Sequence, residues 1–385
     1  MIVSASLFSW FGSRPAMSLS RLACMVLLAI SMPLSGCGGG GGDTAPAPPT
    51  PPPPVAADPA AALDAAAAEA FAEDAPASVP GMALAIYRPG GERVFLGVYG
   101  DFDPEGRYAV ASASKLVTSL VLLRLIDQSF LELSSTTGAV LGWSGPQAAI
   151  TLEQLLSFTS GLARDADCLR EVAITLAECA AQIGAGPLVA APGTRFDYGG
   201  SHMQVAARMA EVVTGSNWNA IFRAQLADPL GLAADVRYTT GRRQRIGSSN
   251  PLAGGGLAAT VDEYARLVEA ALGALADIQG VAIDPDLAAA IFRAPYPEAE
   301  RGLVPAEVQD FGYGLGAWLE CDTPGSGCDI ASSAGLFGWM PWVDREAGYI
   351  GILAMEGSAV PGVATGFSVP LAERLRPLVL EVLGN

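Results

Sequence analysis

The sequence predicts a fold of the α/β class, α+β in type: one antiparallel sheet built from both chain ends, flanked by helices, with a mostly helical part inserted between. Three observations predict it. Apolar runs at 82–88 and 93–99, separated by Pro89-Gly90-Gly91, read as an early hairpin. Strand character returns only late, at 314–320, 336–343 and 349–355. Between them, the Thr-x-x-Glu/Gln boxes Thr151 to Gln154, Thr175 to Glu178 and Thr260 to Glu263 each open a helix.

Taken in order, the chain begins with a segment that reads as an export signal over 1–36. Arg14 and Arg21 supply positive charge, and 22–32 is apolar but too short to span a bilayer permanently. Leu34-Ser35-Gly36-Cys37 resembles a bacterial lipobox, in which the Cys becomes the lipidated first residue of the mature chain. Met17 would open a more typical signal, leaving 1–16 as an over-extended start. The alternative is an ordinary signal with an incidental Cys. Gly38 after the Cys favours outer-membrane sorting, so the expected location is the cell envelope, facing the periplasm. Residues 37–59 form a tether, slack where Gly-rich and semi-rigid where Pro-rich.

The folded domain is then expected over 60–385, with 60–110 and 310–385 carrying the sheet and 111–309 mainly helical. An Ala- and Glu-rich helix fills 60–75. Residues 115–127 are apolar nearly all round, the mark of a helix buried inside the protein. Residues 204–214 place Val205, Met209, Val212 and Val213 on one face and stop at Gly215, and a last helix runs over 370–383. No internal repeat is visible.

Composition narrows the chemistry. The 385 residues carry a net charge of −17, with one histidine, His202, and one lysine, Lys115. A site with two His ligands is impossible, which removes most zinc and non-haem iron arrangements, and no metal or cofactor is expected. Lys115 precedes Leu116, so no Gly-Lys-Ser/Thr phosphate loop exists. An acidic chain without a basic stripe is a poor partner for nucleic acid. Outside the signal and Cys37, the cysteines are Cys168, Cys179, Cys321 and Cys328. In an exported protein they suggest two disulfides, with Cys321 and Cys328 the easier pair around a turn-rich loop. Cys168 and Cys179 would lie about 16 Å apart along one helix, at a rise of ~1.5 Å per residue. The capping box at Thr175 starts a new helix between them and lets them approach. Free buried thiols are the alternative.

Ser112-Ala113-Ser114-Lys115 is the centre of the chemistry. At a helix start, residues three apart share a face, so Ser112 meets Lys115. A serine hydroxyl needs a base within reach, and a lysine in an apolar helix loses solvation, which disfavours its charged form. The helix N-terminus also offers N–H groups to a developing oxyanion. This is the chain's only lysine, and a buried one needs a reason. Tyr198, between two turn segments, is either a core aromatic or a second proton carrier beside the Ser–Lys pair.

Tyr108 to Lys115 resembles the nucleophile motif of the serine β-lactamase and penicillin-binding superfamily, nearest to class C-type members and family VIII carboxylesterases. Residues 150–162 resemble its "LL-x-H-T-S-G-L" segment, 192–198 its "PGTxFxYSN" run, and Ala253-Gly254-Gly255-Gly256-Leu257 its "AGGGL" turn. Ser333-Ala334-Gly335-Leu336 sits where the Lys-Thr-Gly or His-x-Gly strand is expected. Order and spacing hold from about residue 60 to 385. The resemblance implies Ser112 as nucleophile, Lys115 and Tyr198 sharing the base and acid work, and an oxyanion hole from the N–H groups of Ser112 and Leu336. It places Gly200, Ser333, Ala334 and Gly335 against the substrate.

Three departures bear on the substrate. Phe158 replaces the His of the Thr-Ser-Gly segment, Gly200 the Asn of Tyr-x-Asn, and Ser333 the Lys or His that would hold a substrate carboxylate. A neutral, apolar ester or amide suits what remains better than a β-lactam or a D-amino-acid peptide. A non-catalytic envelope binding or sensor lipoprotein is a further alternative. His202 has no Gly-x-Ser-x-Gly elbow to serve, so a cleft-wall or helix-start place is expected for it. Arg242, Arg243 and Arg245 read as a solvated loop. Trp318, Trp339 and Trp342 either line a cleft or pack the sheet.

Overall fold

The computed structural model describes residues 58–241, 246–275, 281–321 and 328–384. The signal, Cys37, nearly all of the tether and the Arg242, Arg243, Arg245 cluster lie outside the described residues.

Seven strands form one antiparallel sheet: β1 (Gly81–Arg88), β2 (Glu92–Gly100), β3 (Gly312–Tyr313), β4 (Trp318–Leu319), β5 (Ile330–Ser332), β6 (Met340–Asp344) and β7 (Tyr349–Ala354). Their order is β2-β1-β7-β6-β5-β4-β3, so the first hairpin lies directly against the last strand of the chain. Ala83 faces Ala354 and Tyr87 faces Ile350 across that junction. All of β1 except Arg88 is buried, because both faces of the sheet are covered, and the strand therefore reads as an unbroken apolar run. The helix Pro59–Asp74, started by Asp58 and Pro59, packs with the helix Thr365–Leu383 on one face, and Val261–Val268 packs behind β7.

The late strands are shorter than their apolar patterns suggest. The run at 314–320 is a tight β3–β4 hairpin turning at Gly316, and the run at 336–343 is half turn and half strand. The Gly335 N–H donates to Trp339 O and the Gly338 N–H to Gly335 O, both at 2.8 Å, folding 333–339 into the turn that joins β5 to β6. The last helix starts at Thr365, one and a half turns before Pro370, which sits inside it.

The middle is helical, and all three expected capping boxes are present with both reciprocal hydrogen bonds. Two strand pairs of two residues each tie motif segments together. Tyr108–Ala109 pairs with Ala258–Ala259, and Arg195–Phe196 pairs in parallel with Glu300–Arg301. The helix Ser114–Asp127 is buried from Ser114 to Leu123, in keeping with a sequence apolar nearly all round.

Cys168 and Cys179 are joined by a disulfide, their Cα atoms 5.3 Å apart. The bridge expected between Cys321 and Cys328 is not formed, and both are free thiols. Burial and the neighbouring Cys321 push the Cys328 thiol up to about 12, and it donates to Ile330 O at 3.4 Å. A thiol held neutral in this way is a poor nucleophile for exchange.

Candidate active site

Ser112 lies in a single 3-10 turn, Ala111–Ala113, immediately before the buried helix. Ala111 before it has φ +48°, a left-handed conformation that costs a non-glycine residue of order 1–3 kcal/mol and is found where a site needs it. The turn exposes Ser112 at the head of the helix while Ser114 is drawn inward. The Ser114 hydroxyl donates to Ala111 O at 2.6 Å and accepts from the Leu257 N–H at 3.1 Å.

Lys115, only 4% exposed, sends Nζ to Ser112 Oγ at 2.9 Å and to Gly254 O at 2.8 Å. Gly254 is there because the Ala253–Leu257 turn lies across the helix start. Thr118 Oγ1 donates to Ala253 O at 2.7 Å and the Val110 N–H to Leu257 O at 3.1 Å. Nζ also stands 4.7 Å from the centre of the Tyr198 ring, a cation–π distance. Ser112 and Lys115, predicted from one motif, and Tyr198, predicted from another, are therefore brought together in one place.

Tyr198 is held from two sides. Its N–H donates to Leu303 O at 2.9 Å, while the Leu303 N–H donates to Asp197 Oδ1 at 2.9 Å and Arg195 Nε pairs with Asp197 at 2.9 Å. Behind its ring stands an aromatic cluster: Trp318 at 4.8 Å, Phe158 at 5.4 Å and Tyr313 at 6.0 Å. Phe158, where the motif has His, is fully buried and stacks on His202 at 4.9 Å and Tyr313 at 4.8 Å. The departure thus converts a polar contact into aromatic packing that backs Tyr198. Of the three tryptophans, Trp318 backs the site, whereas Trp339 packs on Tyr264 and Trp342 on Tyr349.

His202 is fully buried, its Nε2 against Asp197 O at 2.9 Å and its Nδ1 against the Ser160 hydroxyl at 2.8 Å. A carbonyl can only accept, so Nε2 carries the proton and Nδ1 accepts from Ser160. Burial lowers its pKa to about 4, and it sits on the first turn of the helix Ser201–Thr214 as a structural group. Because the unfolded value is near 6.5, the unfolded chain binds the extra proton first as pH falls. Stability is therefore full above about pH 6.5 and is lost on the way down to about pH 4. Unfolding free energy is expected to fall by about 2 kcal/mol from this source between pH 7 and pH 5. Urea melts of His202→Gln beside the wild type check it; the variant should lack that part of the slope, and equal slopes would refute the assignment.

A cavity of about 520 Å³ opens over the three residues. Its lining combines apolar side chains, Leu252, Leu303, Val304, Pro305 and Leu336, with the charged residues Arg164, Asp165, Arg170 and Glu307. Gly200 and Ala334 line it, whereas Ser333 and Gly335 lie behind its surface. Ser333, 2% exposed, donates its hydroxyl to Ser112 O at 3.1 Å and is turned away from the substrate. That contact sets the 333–339 turn, with Leu336, against the residues around Ser112. Among the described residues, no acceptor engages the N–H of Ser112 or of Leu336.

Sequence reasoning missed the charged part of the lining. Its signal was a charge-dense loop, Arg164 to Glu171, directly after the Thr159-Ser160-Gly161 segment. Asp165 accepts from the Gly200 N–H at 2.9 Å and pairs with Arg164 at 3.0 Å. Burial pushes its carboxyl up, but the Gly200 N–H and the Arg164 and Lys115 charges outweigh that and hold it below the usual carboxylate range.

The fold has counterparts among known proteins. A family model described as Beta-lactamase matches residues 68–365. Penicillin-binding protein 4 of Amycolatopsis lactamdurans is 28% identical over 173 residues, covering 40% of this chain and 44% of its own length. The chain thus spans less than half of that curated relative. A candidate beta-lactamase of Bacteroides dorei DSM 17855 superposes with a TM-score of 0.70 at 25% identity, over 84% of this chain and 99% of that one. EstCE1, a hydrolase with promiscuous acyltransferase activity, superposes with a TM-score of 0.66 at 19% identity, over 83% and 98%.

Proposed function

The chain belongs to the beta-lactamase family, and on that premise we propose that it is a serine hydrolase that opens ester bonds through an acyl-enzyme on Ser112. One observation carries the reading: the only lysine of the chain is buried with Nζ 2.9 Å from Ser112 Oγ, in a cavity shared with Tyr198. Ser112 Oγ attacks the ester carbonyl while its proton passes to the Lys115–Tyr198 pair. The N–H groups of Ser112 and Leu336 take the charge on the carbonyl oxygen. The pair then protonates the departing alcohol, and water, deprotonated by the same pair, releases the acid and restores Ser112.

The apolar part of the lining and the inward-turned Ser333 favour a neutral acyl group over a substrate held by its carboxylate. A second reading, hydrolysis of a β-lactam or a D-amino-acid peptide, is favoured by Arg164 and Arg170 in the cavity lining and by the likeness to a penicillin-binding protein. The lipobox-like Cys37 and the Gly/Pro tether support export and a lipid anchor, with the site facing the periplasm.

Intact-mass measurement after exposure to p-nitrophenyl butyrate and to a penicillin tests the reading. The wild type should gain and then lose a butyryl mass, with slower or no adduct from penicillin. Ser112→Ala should show no adduct and lose turnover by at least about 10³-fold. Full turnover by Ser112→Ala would end the proposal, and faster processing of penicillin would install the second reading.

A further inference from the structure

Gly200 stands where the resembling motif carries an amide, and there is no free space for a side chain. A Cβ on Gly200 would lie 2.9 Å from Leu169 Cδ1 and 3.3 Å from Asp165 Oδ1. The place is taken by Leu169 and, beside it, the Asp165 carboxylate, both arriving from a different loop. That loop is laid on the 199–201 segment by several contacts. Besides the Gly200 bond to Asp165, the Ser201 N–H donates to Arg164 O and the Ala166 N–H to Ser201 Oγ, both at 3.0 Å. A Cβ on Gly199 would lie 2.1 Å from Arg164 O, so the two backbones meet at van der Waals contact. From the far side, the Cys168–Cys179 disulfide and Asn250 Nδ2, donating to Cys168 O at 2.8 Å and Glu171 O at 3.0 Å, hold the loop down. A carboxylate so fixed is a built feature of the cavity.

We infer that Asp165 is a positioning residue of this site: its carboxylate pins Gly200, and with it Tyr198, and supplies a fixed negative charge against which the Lys115–Tyr198 pair exchanges its proton. The inference rests on the acyl-enzyme reading above. The other groups around the pair leave this charge in place. Arg164 is bound to Asp165 Oδ2 and offsets it in part, Glu307 is hydrogen-bonded to Thr365, and Arg170 makes no ion pair among the described residues. His202 behind Tyr198 is neutral, and Tyr313 is buried and held protonated. A nearby negative charge favours the ammonium of Lys115 and opposes a phenolate on Tyr198. Whichever of the two accepts the serine proton, Asp165 therefore keeps it a stronger base.

Asp165→Asn keeps an oxygen for the Gly200 N–H and removes the charge, whereas Asp165→Ala removes both. The rate of Ser112 acylation by p-nitrophenyl butyrate, followed by intact mass from pH 5 to pH 9, separates the roles, with thermal melts as the folding control. Asp165→Asn is expected to move the rising limb to lower pH by about half a unit to one unit and to lower the plateau about 3- to 10-fold. Asp165→Ala should show the same displacement and roughly a further tenfold loss, as the 199–201 segment is released. If the wild type acylates Ser112 while Asp165→Asn shares its limb and plateau, the inference falls and the hydrolase reading stands. The same holds if both variants lose rate only in proportion to a lowered melting temperature. If the wild type does not acylate Ser112, both fall together.

Discussion

Lys115→Met is expected to slow acylation of Ser112 by about 10³- to 10⁴-fold while leaving a folded protein. Lys115 places its Nζ 2.9 Å from Ser112 Oγ, in direct contact with the nucleophile. A further hydrogen bond, from Nζ to Gly254 O at 2.8 Å, is structural, and its loss leaves a carbonyl short of one donor, a cost of about 1–3 kcal/mol. Met fills much of the same volume in a helix whose neighbours are apolar, and it leaves no unpaired charge behind. Stopped-flow or intact-mass acylation rates with an activated ester, beside a thermal melt, distinguish the two effects. A loss smaller than tenfold in a folded Lys115→Met protein would transfer the proton-accepting role to Tyr198 alone.

The parts of this architecture that were legible in the sequence share one property: each is set by local chemistry or by unbroken apolar pattern. The hairpin at Pro89-Gly90-Gly91, the three capping boxes and the buried helix after Ser112 belong there. So does the Ser112–Lys115 contact, which needs only one helical turn. What was not legible depends on groups distant in the chain. The first half of the strand pattern at 336–343 gave way to a turn in which the Gly335 N–H donates to Trp339 O, a closure invisible to an apolar count. Cys321 and Cys328 were close enough in sequence to suggest a bridge, yet both are free thiols in the structure. The charged part of the cavity lining was missed for a similar reason. Asp165 matters only because its loop lies on residues 199–201, and no spacing along the chain announces that.

The departures from the resembling motifs likewise changed meaning once their neighbours were visible. Read singly, Phe158, Gly200 and Ser333 were losses of polar function. In the structure each position is occupied by another interaction: Phe158 stacks behind Tyr198, Gly200 yields its space to Asp165 and Leu169, and Ser333 braces Ser112 O. Three separate replacements around one cavity keep its walls packed despite the departures from the motifs.

Gly335→Ala is expected to cost both stability and rate, and the size of the second effect locates the oxyanion hole. A Cβ at Gly335 would stand 2.2 Å from Val110 O and 3.2 Å from Trp339 O, both backbone atoms that cannot swing aside. Relief requires the 333–339 turn to move away from the strand end at Val110, at a cost of about 1–3 kcal/mol. That turn carries Leu336, whose N–H is assigned to the carbonyl oxygen of the substrate. A displacement of even a fraction of an ångström lengthens that hydrogen bond in the transition state, where the loss of one donor is worth about 10²- to 10³-fold in kcat. Ser112, Lys115 and Tyr198 stand on other segments, so labelling of Ser112 by a fluorophosphonate should be slowed with the turnover of esters, since both place an oxygen in the same hole. The companion substitution Gly338→Ala, at φ +94° in the same turn, strains the backbone at a point three residues further from Val110. It should match Gly335→Ala in lost stability but fall well short of it in lost rate. If the two variants lose rate in the same proportion to stability, Leu336 has no special place in the chemistry and the second oxyanion donor must be sought elsewhere on the cavity wall.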